Sequence, residues 1–597
     1  MSDQKNMIMA AVLSFLVIVL WQFFLAPPPP APVDQPAVVG TEVGPDGSVV
    51  PAPLTVAAPP QTREEALAAS PRVRIENPKL AGSIALRGGR IDHLDLLAHR
   101  QTVDLGSPPV ELLAPFGAAH PYYAIWGWTP ARDQQTGPLP GPDAEWTVES
   151  GDVLRPGQPV TLMWENGEGL TFRRTFSLDQ DYMFTVAQSV TNDTDRTLTL
   201  APYGIIARHS LPPLENFFIL HEGAVGKVDG RLIELDYDDI LGLPSDPAEG
   251  GPVQRHAVAN NGWLGFTDKY WMAALAGGPE HPFTAVFKAV QTDRGPVYQT
   301  DLRQPPMTAA PGETIEATAM LFAGAKETRL LQRYQQIDGF EDAVDWGWFF
   351  FLTKPIFSLL MLIEDVVGNV GWSIILLTVV IKTLLFPLAW KSFVSMSKMK
   401  KLQPEMEKIK ERVGDDKMKM QQEMIALYKR EKVNPASGCL PILLQIPIFF
   451  SLYKVIFVTL ELRHAPFIGW IEDLSAPDPT SWMNLFGLLP FGTDAIPAFL
   501  TLFSIGVYPI LMGITMWMQQ KLNPAPTDPV QAQIFAIMPI MFTFMLGHFA
   551  SGLVIYWIAN NVLTFIQQYT IMRSQGVDVD FLGNVKRSFK RKKKVAE

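Results

Sequence analysis

Cysteine is almost absent from this 597-residue chain: Cys439 stands alone, so no intrachain disulfide and no cysteine metal cage can form. Enzyme signatures are missing as well. The nine histidines are scattered, and no H-E-x-x-H, G-x-S-x-G or Walker sequence occurs, which removes the usual support for metalloprotease, hydrolase or nucleotide-driven chemistry. The sequence calls for no cofactor and no metal. Charged residues make up only 18% of the chain and are unevenly placed: residues 26–345 carry a net −18, and the remainder carries +7. A chain of this length is expected to divide into more than one domain.

What is abundant is apolar sequence, collected at the N-terminus and between about 347 and 572. The run "MIMAAVLSFLVIVLWQFFLA" (7–26) has the length of a membrane helix. No A-x-A site precedes Pro27 and no cysteine follows that could take a lipid, so 1–26 is read as an uncleaved anchor. Residues 27–71, rich in proline and alanine, read as an extended linker. Five further apolar stretches, about 368–389, 438–460, 498–520, 531–546 and 551–571, bring the expected number of spans to six.

Charge orients them. The loop 391–432 carries twelve basic residues, and in the tail 573–597 the stretch 586–594 carries seven: Lys586, Arg587, Lys590, Arg591, Lys592, Lys593 and Lys594. Basic flanks stay cytoplasmic, which puts both termini inside and the acidic block outside.

That outer block, 72–337, reads as an antiparallel β-sandwich. "VTLMWENGEGLTFRRTF" is strand, turn, strand, and "FTVAQSVTNDTDRTLTL" repeats the pattern around a polar turn. The aromatics of "YYAIWGW" (122–128) read as core. Residues 338–367 mix apolar and acidic side chains around Pro355 and are expected to form an amphipathic interfacial helix. In the inner loop, apolar residues at helical spacing end at Gly414, and Asp415 or Asp416 can cap a second helix that Asn434-Pro435 stops. A charged helical hairpin follows.

The run "IILLTVVIKTLLFPLAW" (374–390) places Lys382 within an apolar span. An ammonium at that depth costs roughly 2.5–3.5 kcal/mol on insertion scales, so it is expected to face a wet cavity, a partner or a ligand. Its bland alternative is snorkelling to the nearer interface. Counted inward from Trp390, Lys382 lies roughly 12 Å from the cytoplasmic end of a continuous helix. Thr378, four residues earlier, shares its face. Gln445, Asn560, Asn561, Gln567 and Gln568 are further polar residues within spans, expected mainly to bond helix to helix. Met538, Met541 and Met545 form a stripe that either packs in the core or offers a pliable face to client helices.

"ALYKREKVNP" (426–435), "NPASGCLPILLQIPIFFSLYK" (434–454) and "ASGLVIYWIANNVLTFIQQ" (550–568) resemble, in order, signature stretches of the YidC/Oxa/Alb membrane-protein insertase family. "GWLGFTDKYWMAAL" (262–275) and "LFAGAKE" (321–327) extend the likeness more loosely into the outer block. The resemblance implies an α-helical integral membrane protein of the bacterial inner membrane. Its five-span core (368–572) would enclose a hydrophilic groove, and a large periplasmic antiparallel β-supersandwich would stand outside. It implies no enzymatic activity. Lys382 takes the place of the family's positive groove residue, often arginine; Thr378 and Trp557 match groove positions, and Tyr556, Gln445 and Asn560 join them. Implied partners are nascent membrane proteins, the Sec translocon, membrane lipids and the ribosome, with the basic tail a candidate contact to ribosomal RNA. An envelope structural or glycan-binding protein acting through its outer sandwich is one rival reading, which leaves the basic hairpin and tail unexplained; a secondary transporter with an intramembrane lysine site is the other. It requires internal repeats with broken helices in matching halves, and the sequence displays neither.

Overall fold

A computed structural model describes residues 61–577 except 105, 132–133, 135, 216–219, 279–280, 415, 432, 434–439, 490–495, 497–499, 501–502 and 524–528. The expected anchor, most of the linker, Asn434-Pro435 and the basic tail lie outside the described residues. All described residues belong to one compact unit, Glu42–Glu597.

The acidic block folds as two sheets, one of twelve strands and one of nine. Alternation drives the pairing. Along Leu170–Leu178 every second side chain is buried, so one face must meet a second layer. Its Phe176 meets Trp126 of the opposite sheet edge-to-face, with centroids 5.7 Å apart. Val160–Glu165 pairs antiparallel with Leu170–Leu178, closing the first expected hairpin. Arg72–Glu76 with Val153–Leu154 is a parallel exception.

The second expected hairpin is not one. Met183–Asn192 lies in the nine-stranded sheet between Leu170–Leu178 and Thr314–Ala325. Leu198–His209 belongs to the twelve-stranded sheet, beside Tyr122–Pro130 and Gly295–Arg303. The polar turn is a corner that carries the chain across the sandwich. Asn192, fully buried, holds it by donating to the Arg196 and Ala309 carbonyls at 2.7 and 3.0 Å. A hairpin turn and a sheet-crossing corner use the same polar residues, so local sequence does not separate them.

The helical half comprises α1 (Phe350–Val367), α2 (Val370–Leu384), α3 (Phe386–Val413), α4 (Lys417–Arg430), α5 (Leu440–Val458), α6 (Val507–Gln520), α7 (Pro529–Leu546) and α8 (Ser551–Ser574). Among the described residues no single helix is long and apolar enough to cross a membrane; α2 and α3, meeting at 68°, pass that test only as a bent pair. The expected continuous span 368–389 is therefore corrected. Pro387 has no N–H to continue the ladder of α2, yet it fits the first turn of α3. The bend falls at Leu385, with φ −85° and ψ −3°.

A second correction concerns 498–520, whose helix begins only at Val507. Its start is fixed from a distant loop: Thr480 Oγ1 accepts from Val507 N at 3.1 Å, and Asp478 Oδ2 accepts from Tyr508 N at 2.9 Å. These acceptors cap donors that a helix start leaves open. Gly506 allows the approach, since a Cβ there would stand 2.4 Å from Asp478 Cγ.

Helices α3 and α4 form the charged hairpin. Gly414, at φ 64°, closes α3; Asp416 caps α4 by accepting from Lys419 N at 3.0 Å. Arg412–Glu423 and Arg430–Glu405 bridge the two helices.

Sandwich and helices meet through the segment after α5. Glu461 accepts from Thr328 N at 3.2 Å, and Arg463 donates to the Arg100 and Gln101 carbonyls at 2.7 and 3.1 Å. Lys269 lies 3.9 Å above the Phe457 ring. The two loosely matching stretches of the outer block, 262–275 and 321–327, supply Lys269 and lead directly into Thr328.

Candidate functional site

Helix α2 starts where Asn369 Oδ1 accepts from Trp372 N at 3.1 Å. It buries Val370, Ser373, Ile374, Leu377 and Thr378 on one face. This stripe at helical spacing docks α2 against α1 and α8. Gly371 permits close contact with Phe467, whose ring a Cβ would meet at 2.1 Å.

Lys382 sits in the last turn of α2. The expected depth of roughly 12 Å below a helix end at Trp390 is thereby overturned: the helix stops at Leu384, two residues on. What distinguishes the lysine is where its side chain goes. Nζ donates to Thr564 Oγ1 of α8 at 2.9 Å and to Gln445 Oε1 of α5 at 3.3 Å. Gln445 Nε2 donates in turn to the Tyr556 hydroxyl, and Thr564 donates to the Asn560 carbonyl at 2.6 Å. Gln567 Nε2 reaches the Lys382 carbonyl at 3.5 Å. Three helices thus converge on one ammonium, and every acceptor given to it is neutral; among the described residues no carboxylate pairs with it.

The other sequence candidates fall in different places. Thr378 is buried and donates to the Ile374 carbonyl of its own helix at 2.7 Å. Trp557, half-buried, stacks on Phe449 with centroids 5.0 Å apart and meets Phe549 edge-on. Tyr556 is buried beside Gln445. Asn560 lies one turn along α8, and its Oδ1 is buried with no partner. Asn561 bonds helix to helix, to Thr515 of α6 at 3.3 Å, whereas Gln568 bonds to Asn523 in the turn after α6 at 2.9 Å.

On α7, Met541 and Met545 are 51% and 50% exposed, in company with Ile534, Ile537 and Ile540. Met538 is half-buried. This is an open apolar face rather than packed core.

Thr564 is the residue sequence reading missed. The signal was present: Tyr556, Asn560, Thr564 and Gln567 recur at spacings of four, four and three, which places them on one face of the helix.

Two family models match the chain: "60Kd inner membrane protein" over residues 362–577 and "YidC periplasmic domain" over 72–359. A relative named membrane protein insertase YidC from Dinoroseobacter shibae is 55% identical over 605 residues, covering 99% of each chain. Another of the same name from Paracoccus denitrificans is 52% identical over 629 residues, covering 100% of this chain and 98% of the relative. Among solved structures, an active YidC insertase with its first transmembrane domain resolved is 17% identical, with TM-score 0.35, covering 94% of this chain and 99% of that one.

Proposed function

The chain belongs to the YidC family of membrane protein insertases, and on that premise we propose that Lys382 marks a hydrophilic groove through which acidic flanks of client segments pass. The protein inserts membrane proteins rather than catalysing covalent chemistry, and it carries a periplasmic β-sandwich before its helical region.

Insertion needs little from the protein beyond a shorter polar path. A segment of ~20 apolar residues supplies its own driving force, while its polar flank resists crossing hydrocarbon. A groove lined by Lys382, Gln445, Tyr556, Asn560 and Thr564 offers that flank hydrogen-bonding partners at intermediate depth. The observation that carries this reading is the ammonium held, among the described residues, by neutral acceptors: its charge stays available to an incoming carboxylate. Thr378 backs the same helix, and Trp557 walls the groove with an aromatic face. Exposed Met541 and Met545 form an adaptable surface for client helices of differing shape.

The finer topology belongs to the same reading. Six spans, with the bent α2–α3 pair and the 1–26 anchor among them, place both termini in the cytoplasm of the bacterial inner membrane. Helix α1 lies at the periplasmic interface, with Phe351, Leu362 and Val366 exposed along it and Trp348 exposed just before it. The Sec translocon, lipids and translating ribosomes are the proposed partners, the last through the basic residues of 586–594. A photocrosslinker introduced at the 378–382 face tests the groove: capture of a ribosome-bound nascent membrane protein supports it, and capture of lipid alone removes it.

A further inference from the structure

The lysine's surroundings carry more than its charge. Thr564 has a single hydroxyl proton, and that proton is committed to the Asn560 carbonyl at 2.6 Å. Toward Lys382, at 2.9 Å, Thr564 can therefore only accept. Gln445 is fixed in the same sense: its Nε2 donates to the Tyr556 hydroxyl, which turns Oε1 to the ammonium at 3.3 Å. An ammonium has three N–H groups. Two are oriented by acceptors of fixed polarity, and the third has no assigned partner among the described residues.

We propose that Thr564 is a positioning residue: it holds Lys382 so that one N–H points to a client carboxylate, and it sets the preference for acidic over neutral flanks. The inference rests on the groove reading above and deepens it. Thr564 suits this task because a hydroxyl orients the ammonium without discharging it. A carboxylate in its place would form an internal ion pair and compete with the client. An apolar residue would leave Gln445 as the one acceptor, and the long lysine stem would regain rotamer freedom. Thr564 is buried and Lys382 half-buried, so bulk water does not mask the difference. The site is also braced: Thr564 stands one turn from Asn560 and two from Tyr556 on the same face of α8, so three groups that fix the lysine move as one rigid element.

The test is an insertion assay with full-length protein in proteoliposomes, using paired clients whose translocated flanks differ only by acidic or neutral residues. Thr564→Val keeps the shape and removes the hydroxyl; Thr564→Ser keeps the hydroxyl. The expected result is a roughly three- to tenfold fall in the acidic-to-neutral insertion ratio for Thr564→Val, the scale of one ordinary intramolecular hydrogen bond, with the ratio restored in Thr564→Ser. Equal losses for both clients in Thr564→Val would mean a structural role only and overturn the proposal. Lys382→Ala, run alongside, separates the two levels. If Lys382→Ala lowers the ratio and Thr564→Val does not, the positioning role fails while the groove reading stands. If neither variant lowers it, both fail.

Discussion

Asp345 and Lys454 meet at 2.5 Å across 109 residues of sequence, carboxylate to ammonium, with both side chains largely shielded from solvent. The same carboxylate accepts from His221 N and Gly347 N, each at 3.1 Å. One side chain therefore ties the sandwich, the entry to α1 and helix α5 together. Removing one partner of a shielded pair strands the other charge. Lys454→Met is expected to destabilise the protein by about 3 kcal/mol, the low end for a shielded pair, and Asp345→Asn by a comparable amount. The double variant should recover part of the loss, as a double-mutant cycle on thermal unfolding in detergent would measure. Full additivity would show that the two groups are not coupled.

Lys382 answers to charge if the groove reading holds. Lys382→Arg should support insertion, Lys382→Ala should fail selectively with acidic translocated flanks, and Lys382→Glu should fail more severely. Clients with neutral flanks should be less affected. Snorkelling instead predicts that all three changes are tolerated alike once expression is matched. Equal insertion by Lys382→Ala and Lys382→Glu for every client would exclude the electrostatic role.

Seven basic residues within 586–594 suit a phosphate-rich partner. Deleting 583–597 should weaken ribosome co-sedimentation, most clearly at low salt, while simple clients still insert. Unchanged sedimentation at low salt would argue for a lipid anchor in its place.

The position of a cut through the outer domain should matter. Removing 72–320 ends inside the strand Thr314–Ala325, a central member of the nine-stranded sheet, and strands Leu321, Phe322 and Ala323, all buried. Removal of 72–325 spares Thr328 and its bond to Glu461 while discarding that apolar stub. Insertion of simple clients should largely survive either deletion, with the longer one giving more protein in the membrane fraction. Loss of insertion by well-expressed 72–325 deletion would assign the sandwich a direct part in the reaction.

Acid should loosen the sandwich through Glu327. Burial raises its carboxyl pKa, but His99, Lys79 at 3.0 Å and the Tyr182 hydroxyl at 3.0 Å outweigh that and hold it down at about 2. A depressed carboxyl contributes stability above its unfolded pKa, near 4.5, and loses it as pH falls toward about 2. The difference in melting temperature between the wild type and Glu327→Gln should therefore shrink between pH 5 and pH 3. A gap independent of pH would show that the charge of Glu327 does not stabilise the fold.

Sequence made some of this architecture readable because the signals were local. Gly414 and Asp416 mark the hairpin turn by backbone chemistry alone, and the alternation along 170–178 names its buried face. Long-range choices were not readable. Whether 183–192 pairs with 198–209 depends on a second sheet that no local pattern reveals, and the start of α6 is set by Asp478 and Thr480, nearly thirty residues upstream. The bend at Leu385 was signalled by Pro387 but was masked by the uninterrupted apolar run around it. At the site, Lys382 was conspicuous as a charge among apolar residues, whereas Thr564 was ordinary until the helices brought the two together.

The break between α2 and α3 has an electrostatic consequence. Where a helix stops, its peptide dipoles sum to about half a negative elementary charge, and α2 stops one turn or less beyond Lys382. The ammonium therefore rests near the last α2 carbonyls, whose partial negative charge the N-terminal end of α3, starting at Phe386, offsets in part, leaving a support of at most roughly 0.3–1 kcal/mol. A straight helix through Pro387 would place Lys382 in mid-ladder and withdraw that support. A backbone terminus cannot be protonated and does not close a salt bridge, so it eases the cost of a cation in an apolar setting while leaving the cation attractive to a passing acid. Pro387 would thus act on the charge state of the groove without touching it.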